Sequence, residues 1–170
     1  MLGFYENFPA NIHRRDVFTC SLSGKGLQRR LTQVLRMTNG KTLSFEEIGN
    51  PSVPECTVIF EWGIADKKGF TYFDEEEAKK LTTAIATERL RVIDLFCGIR
   101  YYKKTATKKK PLKFDYYMTR LSFGENHSVE LQVFHERGPR YISPEELVNF
   151  IVAKINESSA RKILKTAETI

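Results

Sequence analysis

The chain has 170 residues and a net charge of +6, with 41% hydrophobic and 28% charged residues. This composition is typical of globular proteins and excludes an intrinsically disordered chain. A chain of this length buries roughly 70% of its unfolded surface in one core. We therefore predict a single domain over residues 1–170, in which residues 1–16 form an N-terminal arm.

The three cysteines, Cys20, Cys56 and Cys97, lie far apart and form no C-x-x-C pair, so we predict free thiols. The first ten residues contain Glu6 and Pro9, where a signal peptide needs an unbroken apolar stretch. Apolar runs elsewhere are shorter than the roughly twenty residues of a membrane helix. We predict a cytoplasmic protein with no membrane segment.

Residues 17–73 predict strands and one helix. Leu27, Leu31, Val34 and Leu35 recur at helical spacing after Ser23, which indicates a helix that ends near Asn39. Strict alternation in 56–64 indicates a strand, and the turn at 66–69 indicates a hairpin. The predicted strands in this part cover residues 17–22, 41–48, 56–64 and 70–73.

A second helix is predicted from a capping box. Asp74 is followed by Glu77 at the spacing of that motif, and apolar residues then recur at helical spacing as far as Cys97. Gly98 ends the pattern. We predict one helix over residues 75–97.

Two more strands, 112–123 and 128–136, follow. We expect Leu112, Phe114, Tyr116 and Met118 to face the core. A final helix begins at the capping box of Ser143 and Glu146 and extends to residue 170. The predicted fold is α+β, an antiparallel sheet of about four to five strands with helices mainly on one side. The long C-terminal helix either docks on this sheet or projects and forms a homodimer.

The positive charge is concentrated in residues 100–113. This segment contains seven basic residues and no acidic residue. Without these seven, the chain has 27 − 7 = 20 basic residues against 21 acidic residues. The rest of the chain is therefore electrically balanced. A local excess of this kind favours a polyanion as partner.

Aromatic residues flank the basic segment, which favours single-stranded DNA or RNA over a duplex, because bases stack on aromatic rings while cations hold the phosphates. We predict a sequence-tolerant nucleic-acid-binding protein. The predicted phosphate contacts are Lys25, Arg29, Arg36, Arg100, Lys103, Lys104, Lys108, Lys109, Lys110 and Lys113. The predicted stacking residues are Phe73, Tyr101, Tyr102, Tyr116, Tyr117 and Phe134, of which Phe73, Tyr117 and Phe134 fall on non-core strand positions.

Two other interpretations remain open. In the first, the protein is a non-catalytic scaffold or assembly subunit whose basic loop docks an acidic protein partner. In the second, the loop is a solvated connection that only aids solubility. His13, His127 and His135 have no metal-ligand spacing, and no nucleophile stands beside a base. We therefore predict no enzymatic activity, no metal and no cofactor.

Overall fold

The structure, a computed structural model, describes residues 2–44, 47–48, 56–103 and 113–167. Eight strands and three helices form within these ranges. The strands are β1 (Arg14–Cys20), β2 (Thr42–Ser44), β3 (Cys56–Asp66), β4 (Gly69–Tyr72), β5 (Val92–Lys103), β6 (Lys113–Phe123), β7 (Ser128–Arg137) and β8 (Leu164–Thr166). The helices are α1 (Gly24–Thr38), α2 (Glu75–Thr87) and α3 (Pro144–Glu157).

All eight strands belong to one antiparallel sheet, in the order β2-β3-β5-β6-β7-β1-β8, and β4 pairs with β3 beside β2. The strands β3, β5, β6 and β7 are each ten residues long or more, and most of their residues alternate between core and outward positions. The centre of the sheet is therefore wide and regular.

The helices cover one face of this sheet. Trp62 on β3 donates through its indole N–H to the hydroxyl of Thr38 on α1, 2.9 Å away, and the rings of Phe60 on β3 and Phe150 on α3 stack at 4.8 Å. These contacts and the apolar stripes of the helices form one core. Ser23, Asp74 and Ser143 cap the three helix N-termini, as their sequences indicate.

The N-terminal arm lies against the sheet on the opposite face. Asp94 on β5 and Arg120 on β6 form an ion pair at 2.7 Å, and Asp94 also accepts the backbone N–H of Tyr5. Arg120 donates to the carbonyl of Tyr5 and lies 4.3 Å from the ring of Phe8. The first residues of the chain thus cover this pair.

The predicted sheet of four to five strands is wrong, because the sheet has eight. The long C-terminal helix is also wrong, since α3 ends at Glu157 and the chain then turns back to form β8 against β1. Asn156 holds this turn by accepting the N–H groups of Ile163 and Leu164. Residues 168–170 lie outside the described part of the chain.

The second predicted helix, 75–97, is wrong over residues 88–97. The helix ends at Thr87, and Val92 begins the 12-residue strand β5. Ile93, Leu95, Cys97, Ile99 and Tyr101 are all buried. This alternation has a period of two, which is the period of a strand, and it favours pairing with β3 and β6 over continuation of the helix.

Within the described ranges, none of the helices is both long and apolar enough to cross a membrane.

Candidate functional site

The face of the sheet away from the helices carries a depression of about 330 Å³ over β3, β4, β5 and β6. The main contributors to its walls are five aromatic side chains and one ion pair. They are Phe70, Tyr72, Phe96, Phe114, Tyr116, Glu61 and Arg100. Tyr72 is 52% exposed and Phe114 is 40% exposed, so rings on this face are open to a partner.

The rings form a continuous row across the strands. The ring centres of Phe70 and Phe96 lie 5.6 Å apart, as do those of Phe96 and Tyr116. The rings of Tyr116 and Phe114 are parallel at 6.2 Å. Phe96 and Tyr116 lie on adjacent strands, where outward residues are within reach of each other. Phe70 on β4 reaches Phe96 on β5 across Gly63 of the intervening strand β3.

Two glycines keep the floor of the depression low. A Cβ at Gly63 would lie 3.3 Å from the Cβ of Phe70 and 3.4 Å from that of Phe96, so Gly63 allows these rings to approach. Gly98 lies between Glu61 on β3 and Tyr116 on β6 in the register of the sheet. The absence of a side chain at both positions produces the concave shape.

Cationic groups stand around the rings. Arg100 forms an ion pair with Glu61 and also lies 5.9 Å from the centre of the Tyr102 ring. Arg137 lies over the ring of Tyr116 at 5.1 Å, and Lys113 is exposed at the start of β6. Neither Arg137 nor Lys113 forms an ion pair with a described residue, so both charges are available to an anion.

A second depression adjoins the first. It is lined by Lys113, Phe114, Tyr116, Arg137, Gly138 and Pro139. Phe114 and Tyr116 therefore form a ridge between two depressions. The cationic residues Lys113 and Arg137 both border the second one.

Three of the predicted stacking residues are in the core. Phe73, Tyr101 and Tyr117 are each no more than 2% exposed, so a base cannot reach their rings in the folded protein. Tyr117 donates its hydroxyl to the carbonyl of Ile142, and Tyr101 donates to Asp115 at 2.7 Å. Burial raises the pKa of both phenols well above the ordinary value.

The other predicted stacking residues lie on the outward face. Tyr116 lines the depression, and Tyr102 is half-buried two positions beyond Arg100 on the same strand. Phe134 is half-buried and already stacks on His13, with ring centres 4.8 Å apart. Only Tyr116 among these three belongs to the row of rings.

The face assignment of β6 was reversed. Asp115, Tyr117, Thr119 and Leu121 face the core, whereas Phe114, Tyr116 and Met118 face outward; Leu112 lies outside the described residues. A polar pair, Asp115 and Thr119, occupies core positions, and this conceals the alternation from a reading based on hydrophobicity.

Four hydrogen-bond donors offset the cost of burying Asp115. Its carboxylate accepts from Tyr101 and from His135 Nε2 at 2.8 Å, and also from the backbone N–H groups of Arg140 and Tyr141. The side chains of Tyr101, Asp115 and His135 are buried and line neither depression. The effect of this cluster is to hold the segment 138–141 against β6.

The predicted cations of α1 are separate from this surface. Lys25 donates to the carbonyl of Ala86 at 3.2 Å, Arg36 pairs with Glu75 at 2.7 Å, and Arg29 is exposed. Because α1 packs on the other face of the sheet, these residues do not extend the basic surface. Lys104, Lys108, Lys109 and Lys110 lie outside the described residues, as does the side chain of Lys103.

Sequence reasoning missed Phe70, Tyr72 and Phe96 as surface aromatics. The signal for Phe96 was present, since a strand reading of 92–103 places Phe96, Gly98 and Arg100 on the face opposite Cys97. For Phe70 and Tyr72 the signal was the two-residue spacing within a short strand. No such signal shows that β4 and β5 both pair with β3, which brings their outward aromatic residues to one surface.

Comparison with protein-family models, curated proteins and solved structures finds no match to this chain. Within the described residues, no group of three or more His, Cys, Asp or Glu side chains could hold a metal ion.

Proposed function

We propose that the protein binds single-stranded nucleic acid, DNA or RNA, on the outward face of its sheet. The observation that carries the proposal is the row of aromatic rings from Phe70 to Phe114 with unpaired cations at its end. Rings take up bases by stacking, and cations hold the phosphates between them.

The position of the basic segment supports this proposal. Residues 104–112, which include Lys104, Lys108, Lys109 and Lys110, connect the end of β5 to the start of β6. Tyr101 pairs with Lys113 where these two strands meet, next to the ring of Phe114. In the sequence, the four lysines thus fall between the strand that carries Phe96 and the strand that carries Phe114.

A single strand fits this surface better than a duplex. The rings lie in a concave depression between strands, where an unstacked base can enter, whereas the bases of a duplex present only their edges in the grooves. The contacts are to ring faces and phosphates, so most of the binding energy is independent of sequence.

Ring substitution provides the first test. We expect Phe114→Leu to weaken binding of a fluorescent 12-nucleotide strand by about 1–3 kcal/mol, the usual contribution of one stacked base. Phe4→Leu is the matched control, because Phe4 is 36% exposed and lies outside both depressions. Fluorescence anisotropy at low salt measures both, and the absence of binding by the unaltered protein would refute the proposal.

A matched pair of arginines provides the second test. Arg137→Gln should weaken binding, since Arg137 lies over Tyr116 and has no ion-pair partner among the described residues. Arg29→Gln should leave binding unchanged, because Arg29 lies on α1 across the sheet.

The same variants separate this proposal from docking of an acidic protein. Binding of an acidic protein should weaken when Arg137 is replaced and should not change when the Phe114 ring is removed. Equal binding of the strand by Phe114→Leu and by the unaltered protein would therefore favour the acidic protein.

A further inference from the structure

Gly98 occupies an unusual position at the middle of the outward face. It lies on the central strand β5, with Phe96 and Arg100 as its outward neighbours along the strand. Glu61 lies opposite on β3 and Tyr116 lies opposite on β6. The side chains of these four residues thus surround one position that has no side chain.

Nothing within the fold requires glycine at this position. A Cβ at Gly98 would lie 3.7 Å from the nearest ring atoms of Tyr116 and 3.9 Å from the carbonyl of Glu61, which are ordinary contacts. Its φ is outside the left-handed region as well. Glycine within a strand reduces stability relative to other residues, so this one has a cost that packing does not explain.

Gly63, the other glycine of the depression floor, differs from Gly98 in the contacts that an added Cβ would make. There the added Cβ would be 3.3 Å from the Phe70 side chain, so the row of rings itself requires the glycine. At Gly98 an added Cβ would make only ordinary contacts, and the position lines a depression whose volume of about 330 Å³ suits a small planar ligand. Glycine in a strand often marks close approach of a ligand.

The ion pair beside Gly98 supplies hydrogen-bonding groups. The side chains of Arg100 and Glu61 are 35% and 37% exposed, so both are accessible from the depression. A carboxylate retains further acceptor sites after one bond to arginine. Arg100 Nε is buried and has no hydrogen-bond partner within the described residues, so the described part of the protein does not satisfy the guanidinium fully.

We propose that Gly98 is the floor of a site for one guanine base, and that Glu61 and Arg100 contact the hydrogen-bonding edge of that base. The inference rests on the proposed function and adds a base preference at one position of the strand. Guanine fits because its Watson–Crick edge presents two adjacent N–H donors to a carboxylate and the O6 acceptor to a guanidinium. Uracil, cytosine and adenine each present fewer donors on that edge.

The test uses 12-nucleotide uracil strands that carry one guanine, adenine or cytosine at the centre. We expect the guanine strand to bind about tenfold more tightly than the others, as one good side-chain–base pairing provides. Glu61→Gln should abolish this difference while the all-uracil strand remains bound, because the rings and free cations are unchanged.

Gly98→Val is the second variant. Its methyl groups occupy the floor, so the guanine preference should be lost, while the melting temperature should stay the same or rise because valine favours strands. Gly24→Ala is the control, since Gly24 has nothing within 4 Å of an added Cβ and begins α1 on the other face; it should keep the preference.

The outcomes separate the two proposals. Equal affinity for the three substituted strands, or a preference that survives Gly98→Val, overturns the guanine site and leaves strand binding in place. Absence of binding to every strand overturns both.

Discussion

Asp115 is a charged residue in the core, and its position explains much of the local structure. Four donors reach its carboxylate, from Tyr101, His135, Arg140 and Tyr141. A buried carboxylate is tolerated only when such donors surround it. The same residue reversed the predicted faces of β6, because hydrophobicity alone assigns aspartate to the surface.

Replacement of Asp115 by alanine should therefore destabilise the protein strongly. We expect Asp115→Ala to reduce the free energy of unfolding by about 3–5 kcal/mol, since it leaves several buried donors without an acceptor. Urea denaturation measures the loss. Asp16→Asn is the control: Asp16 forms a partly exposed ion pair with Arg14 at 2.8 Å, and its loss should cost about 1 kcal/mol.

His13 should make stability depend on pH. Its pKa lies below the ordinary value of 6.5, owing first to desolvation and then to the charges of Arg140 and His135. The backbone N–H of His135 also donates to His13 Nδ1 at 2.9 Å, which requires that nitrogen to stay unprotonated.

The unfolded chain therefore binds a proton at higher pH than the folded chain does. The free energy of unfolding should fall as pH drops below about 6.5 and continue to fall to the lower pKa of the folded state. Thermal melts between pH 8 and 5 measure this, and His13→Asn should reduce the dependence, because the Asn carbonyl can still accept from His135. An unchanged pH profile in that variant would exclude His13 as its source.

At the scale of elements, the segment after β7 is fixed by close backbone contact. Gly138 has φ +118°, and an added Cβ would lie 2.2 Å from the carbonyl oxygen of Phe114. The segment 138–141 thus packs directly on β6, where it borders the second depression.

Gly138→Ala should separate this segment from β6. We expect a loss of roughly 2 kcal/mol or more in stability, because both the φ and the contact with backbone atoms are unfavourable. Weaker strand binding should accompany it, since Phe114 and Arg137 flank the segment. Chemical denaturation and anisotropy measure the two effects, and a fully stable variant would contradict the close contact.

The helices and strands also show which features of the fold can be predicted from local sequence patterns. The caps at Ser23, Asp74 and Ser143 identify all three helix starts, because a capping side chain acts within three residues. The end of α2 was missed since Val92 and Phe96 fit a helical spacing by coincidence. The strand pairing that creates the depression depends on contacts between distant residues, which no local pattern contains.

For the whole molecule, charge and salt determine binding. If about four phosphates are neutralised, log K should fall against log salt with a slope near −3, as expected for single strands. Replacing Lys113 and Arg137 together with glutamine should make the slope shallower by about 1.4. The corresponding change at Lys25 and Arg29 should leave it unaltered, because these residues lie across the sheet.

The sheet order also constrains how the protein is made. β1, near the N-terminus, pairs with β7 and β8, so that Arg15 contacts Glu130, 115 positions later in the chain. On the ribosome, β1 therefore has no partner strand until β7 has been synthesised, and Phe18 cannot reach its place in the core before then. The sheet closes only after these distant strands are available, and folding is correspondingly slow.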